Sequence, residues 1–150
     1  MKSLKWAFLA LTLSAFTLNS CKKSANTTPK VTNTVALNFN GTPYTTSNIT
    51  ATYSSGALQI IGAFNNTTVI HLLIEPTVKL GSFDIATGAG WGKFDAGPTV
   101  EFFGDSGNIT ITSFTGTTVA GTFQFSGPNT FGSNTGTVTS GTFQTNYTTQ

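Results

Sequence analysis

Residues 57–74 read Ala57-Leu-Gln-Ile-Ile-Gly-Ala-Phe64, then Asn65-Asn66, then Thr67-Thr-Val-Ile-His-Leu-Leu-Ile74. Each apolar run is short for a helix and is apolar on both phases of a two-residue repeat. Such strands need cover on both faces, so the pair is predicted to lie centrally in a sheet, joined by the Asn65-Asn66 turn. Upstream, Val35, Leu37 and Phe39 alternate with polar residues and run into Asn40-Gly41, a strong two-residue hairpin signal. Asn48 to Tyr53 keeps Ile49, Ala51 and Tyr53 in phase before the turn Ser54-Ser55-Gly56.

Downstream the pieces are shorter: Gly81 to Ile85, the glycine-rich loop Ala86 to Gly92, Trp91 to Asp95, and Thr99 to Phe103. Gly104-Asp105-Ser106-Gly107 then turns the chain into Asn108 to Phe114. Val119 to Phe125 and Thr139 to Thr145 both contain Gly-Thr-Phe-Gln. In each copy the Gly precedes a Phe on the same face, which leaves room for a neighbouring aromatic or for a bulge. Two copies are too few for a repeat array and read as two similar strands. About nine or ten short strands at spacings of roughly 8 to 12 residues predict one all-β domain over 34–147, an antiparallel β-sandwich or flattened meander barrel.

Composition agrees. Of 150 residues only 8% are charged, with seven Lys, no Arg and five acids, against about a quarter in ordinary domains. That excludes an electrostatic nucleic-acid binder and a charge-rich disordered chain. Thirty Thr and 16 Gly favour strands and tight turns, and 13 Phe supply apolar bulk for a single core.

The N-terminus has a different character. Met1-Lys2-Ser3-Leu4-Lys5 is a short cationic stretch, and Trp6 to Phe16 is apolar but too short to remain as a membrane span. Residues 1–20 therefore read as a signal peptide with a helical apolar segment. Leu18-Asn19-Ser20-Cys21 resembles the bacterial lipobox, which implies cleavage between Ser20 and Cys21 and acylation of the Cys21 thiol, the only cysteine in the chain. The alternative is an ordinary signal peptide cut near Ser20 that leaves a free thiol. Acyl chains contribute ~0.8 kcal/mol per buried CH₂, so two or three of them would hold the protein on a membrane.

Residues 21–33, Cys-Lys-Lys-Ser-Ala-Asn-Thr-Thr-Pro-Lys-Val-Thr-Asn, have little apolar content and read as a flexible tether. From Val31 onward two lysines face five acids, a formal charge of −3, so the basicity belongs to leader and tether. Lys22 and Lys23 either gain about 1 kcal/mol each from anionic headgroups or are solvated linker charges.

Four fragments carry a wider resemblance: Phe39-Asn40-Gly41-Thr42-Pro43-Tyr44, Leu58-Gln59-Ile60-Ile61-Gly62, Gly107-Asn108-Ile109-Thr110-Ile111-Thr112 and Val119-Ala120-Gly121-Thr122-Phe123-Gln124-Phe125. Behind a lipoprotein leader, in this order, they resemble small lipoproteins of unknown function common in Bacteroidetes-type bacteria. The resemblance implies an envelope location and an all-β domain, and no activity. Surface-exposed lipoproteins of such bacteria often carry acidic residues after the lipidated Cys. Here Lys22-Lys23-Ser24 follow, which points to the periplasmic face of the outer membrane.

Site chemistry is sparse. Asp84 with Asp95, or Glu101 with Asp105, are the acid pairs that folding might bring together for glycoside hydrolysis, but Asp95 and Asp105 stand in ordinary turn settings. Asp105 and Asn108 fall short of the six to eight oxygens Ca²⁺ takes. His71, between Ile70 and Leu72, reads as a structural histidine bonded to a backbone carbonyl or a hydroxyl. No phosphate-binding or dinucleotide motif is present, so no cofactor, metal or catalytic activity is expected. The candidate contact is Trp91 among Gly88, Gly90 and Gly92, with Phe94 and Tyr44 extending it: a flat apolar face for a sugar ring or an envelope protein. The alternative is that Trp91 plugs one end of the sandwich.

Overall fold

The computed structural model describes residues 31–150. The expected signal peptide over 1–20, the expected Ser20–Cys21 cleavage and most of the expected tether, up to residue 30, lie outside the described residues. The first sheet is built from β1 (Thr34–Phe39), β2 (Thr42–Thr46), β6 (Gly81–Asp84), β9 (Ser106–Phe114), β10 (Thr118–Pro128) and β11 (Thr135–Asn146). The second contains β3 (Ile49–Ser54), β4 (Ala57–Ala63), β5 (Thr68–Ile74), β7 (Gly90–Ala96), β8 (Glu101–Phe103) and β12 (Thr148–Thr149). The spatial orders are β2-β1-β11-β10-β9-β6 and β12-β3-β4-β5-β7-β8.

The two sheets pack as a sandwich, so the flattened-barrel option falls. The chain changes sheet between β2 and β3, β5 and β6, β6 and β7, β8 and β9, and β11 and β12, and within the first sheet β11 pairs with the distant β1. A meander would have kept chain neighbours side by side. Among the described residues there are twelve strands rather than nine or ten. β2 contains Pro43 and sits on an edge, where a missing N–H is tolerated, and β12 is only two residues long, parallel to β3.

β4 and β5 are central in the second sheet, as their two-phase apolar pattern predicts. Leu58, Ile60, Ile70, Leu72 and Ile74 point inward and are fully buried. Their outward neighbours Ile61, Val69 and Leu73 are only half-buried, so the outer face of this sheet keeps an apolar character.

Part of the glycine and phenylalanine content has a shared structural cause. The two Gly-Thr-Phe-Gln copies lie side by side in β10 and β11, with Gly121 opposite Phe143, Thr122 opposite Thr142 and Phe123 opposite Gly141. Each ring therefore lies over the partner strand's glycine: a Cβ at Gly121 meets Phe143 at 2.6 Å, and one at Gly141 meets Phe123 at 2.6 Å. Register shifts follow on both sides, after Phe123 against β11 and after Ala120 against β9, so ring seats and bulges occur together. Between the sheets Gly92 seats Phe125, with ring atoms 2.7 Å from a Cβ placed there, and Gly136 seats Phe102 and Phe39. Bare backbone lets large rings fill a thin core to the density interiors require.

Candidate functional site

Alternation along β7 decides the site. Gly90, Gly92 and Phe94 face the core, while Trp91, Lys93 and Asp95 face outward. The register sets Trp91 beside Leu73 of β5, and Leu73 beside Gln59 of β4. The Trp91 indole is half-buried, with its ring 5.5 Å from that of Phe103 on β8. Next to it an open depression of ≈ 420 Å³ is lined by Gln59, Leu73, Glu75, Ile85, Gly88, Gly90 and Trp91.

The rim is held by local backbone bonds. The Glu75 amide donates to the Ala89 carbonyl at 3.4 Å, the Gly88 amide to the Ile85 carbonyl at 3.0 Å, and the Ala86 amide to Asp84 Oδ1 at 2.8 Å. Gly88 adopts a φ of 80°, which the turn requires and which a side chain would strain.

Two of the anticipated contacts need correction. Phe94 is fully buried and stacks on Phe39 at 4.3 Å. An odd separation along a strand puts it on the opposite face from Trp91; assigning Trp91 to the Ala86 to Gly92 loop, although Trp91 to Asp95 also read as a strand piece, left that parity unapplied. Tyr44, on β2, packs its ring edge-on to Phe64 and Phe94, both at 5.4 Å, and does not join the outer face. Trp91 does not plug the sandwich end; it stands on strand β7 on the outer surface. Ser20 and Cys21 lie outside the described residues.

Beside the depression the outer face carries a charged cluster that sequence reading missed. Lys93 Nζ lies 3.0 Å from Asp95 Oδ2 and 3.1 Å from Glu101 Oε2, and His71 Nε2 lies 3.5 Å from Asp95 Oδ2. Lys93 also sits 5.6 Å above the Phe103 ring, within cation–π range. The pairing that forms is Asp95 with Glu101, through one ammonium, and His71 faces a carboxylate rather than the expected carbonyl or hydroxyl. Lys93 and Asp95 stand two apart on one strand face, and that spacing was the available signal.

Burial works to lower the Lys93 pKa, but its bonds to Asp95 and Glu101 outweigh it and hold the ammonium above its usual range. The bond from Lys93 holds the Glu101 carboxyl below its usual range. Burial, with help from the Lys93 charge, pushes His71 below its ordinary 6.5. His71 thus takes up a proton more readily when unfolded, and stability rises with pH through this window. The melting temperature is expected to fall as pH drops from 7 to 5, and less in His71→Gln. Thermal melts across that range check this; equal slopes would contradict it.

Among the described residues no cluster of three or more His, Cys, Asp or Glu is arranged to hold a metal ion. No curated protein and no solved structure matches the chain. The family described as a domain of unknown function, DUF6252, matches residues 31–145. That stretch takes in every strand except the end of β11 and the two-residue β12, and the chain belongs to this family.

Proposed function

We propose that this protein is a lipid-anchored envelope module that binds a glycan on the outer face of its second sheet, without catalysis. The observation that carries the binding reading is Trp91: a half-buried indole beside an open depression, with Leu73 continuing the apolar floor and Gln59 and Glu75 at hand. Sugar rings present an apolar C–H face and a hydroxyl rim, and a flat aromatic flanked by side-chain amide and carboxylate complements both. The anchor reading rests on Leu18-Asn19-Ser20-Cys21 behind a short apolar leader. Lys22-Lys23 after the acylated cysteine favours the periplasmic face of the outer membrane.

Binding is favoured over hydrolysis by the state of the acids. A glycosidase keeps one carboxyl protonated and raised in pKa, whereas Asp95 and Glu101 share the Lys93 ammonium and Glu101 is shifted the other way.

The full chain carrying Trp6→Phe has Trp91 as its only tryptophan. Titration with oligosaccharides from envelope and plant polysaccharides is expected to change its fluorescence saturably. A second tag-free assay is expected to show Trp91→Ala binding at least tenfold more weakly, about 1.4 kcal/mol. A silent Trp91, or unchanged affinity in the variant, would overturn the glycan reading.

A further inference from the structure

We infer that the Trp91 depression selects neutral oligosaccharides and rejects acidic ones of the same length, with Glu75 as the selecting residue; this rests on the glycan reading above. The Glu75 carboxylate is acceptor-only, and the lining's side-chain donors are the Gln59 amide and the Trp91 indole N–H. The Gly88 amide is spent on the Ile85 carbonyl, and the Glu75 amide on the Ala89 carbonyl. An acceptor-rich, donor-poor rim is satisfied by hydroxyls, which donate. A sugar carboxylate or sulfate brings only acceptors and a like charge.

No cation nearby offsets this. Among the described residues the lysines are Lys79 and Lys93. Lys93 is held by two carboxylates, and Lys79 is exposed on the loop beyond Glu75 and does not line the depression. The cluster His71, Lys93, Asp95 and Glu101 carries net −1 with His71 neutral, which adds to the repulsion. The row Trp91, Leu73, Gln59 and Thr52 crosses four neighbouring strands. At about 4.8 Å per strand it spans roughly 14 Å, long enough for a short linear oligosaccharide lying across the strands.

The experiment compares a β-linked glucose tetrasaccharide with its glucuronic acid counterpart, by calorimetry on the full chain in detergent. At low salt the neutral ligand is expected to bind about fivefold or more tightly. Glu75→Gln is expected to reduce that preference to about twofold, and added salt is expected to shrink it in the wild type. Equal or tighter binding of the acidic ligand, or an unchanged preference in Glu75→Gln, overturns the inference while leaving a glycan site. Binding of neither ligand, with Trp91 silent across the wider glycan set, overturns the glycan reading and this inference with it.

Discussion

Isolated from membranes after expression with its own leader, the protein is expected to begin at Cys21 and to carry two or three acyl chains there, and Cys21→Ala is expected to abolish both features. One myristoyl-length chain gives only marginal binding, with an association constant near ~10⁴ M⁻¹, while two or more give lasting attachment. The effect is therefore close to all-or-none. Among the described residues no helix is long and apolar enough to cross a membrane. Intact-mass spectrometry checks the acyl mass and the missing leader together. An unmodified thiol, or a chain that still begins at Met1, would contradict the anchor.

Gly121→Ala is expected to be the most damaging single-methyl change considered in the sandwich. A Cβ there runs into the Thr110 carbonyl oxygen of β9 as well as the Phe143 ring. The backbone oxygen belongs to the sheet ladder and cannot turn aside. Overpacking of this kind costs about 3 kcal/mol, a large share of the roughly 5–15 kcal/mol that holds a domain together. The melting temperature is expected to fall by roughly 10–20 °C. For Gly92→Ala the nearest atoms belong to the Phe125 ring, a side chain that can shift, so its smaller loss is expected to be partly recovered by Phe125→Leu. Gly116→Ala has nothing within 4 Å and is expected to be neutral. Thermal melts of the three variants check the ranking; a Gly121→Ala protein as stable as Gly116→Ala would show that the seat is not tight.

These expectations rest on features of differing legibility. The central position of β4 and β5 was readable because Ile60-Ile61 and Leu72-Leu73 place apolar groups on both phases. The Gly-Thr-Phe-Gln strands were readable as strands with room for an aromatic, but which ring fills which glycine depends on the register between β10 and β11. Register is a long-range property, and local pattern does not carry it. Phe94 was misplaced for a different reason. Three glycines around Trp91 suggested a loop, yet Gly90 and Gly92 are bare because Phe83, Ile109 and Phe125 crowd their inward side. Glycine there serves packing within a strand, and strand parity then sends Phe94 to the core. The cluster of His71, Lys93, Asp95 and Glu101 joins three strands and needed the sheet order as well. β2 was legible only through the Asn40-Gly41 hairpin signal, which the antiparallel β1–β2 pairing bears out, because Thr42-Pro43-Tyr44 lacks an apolar alternation of its own.

The outer face of the second sheet also differs from that of the first in a way that bears on function. The first sheet turns Thr110, Thr122, Thr142, Asn108 and Gln124 outward, a hydroxyl and amide surface without an aromatic. The second combines Trp91, Leu73 and Phe103 with a few polar groups. Stacking on a sugar ring needs the second kind.

The most direct measurement is amide chemical-shift mapping of the isotope-labelled protein titrated with a neutral oligosaccharide. Shifts concentrated at Gln59, Leu73, Glu75 and Gly88 to Trp91, with the Trp91 indole N–H moving most, are the expected result. Shifts centred on Thr110, Thr122 and Thr142 of the opposite face, or none at saturating ligand, would contradict the account.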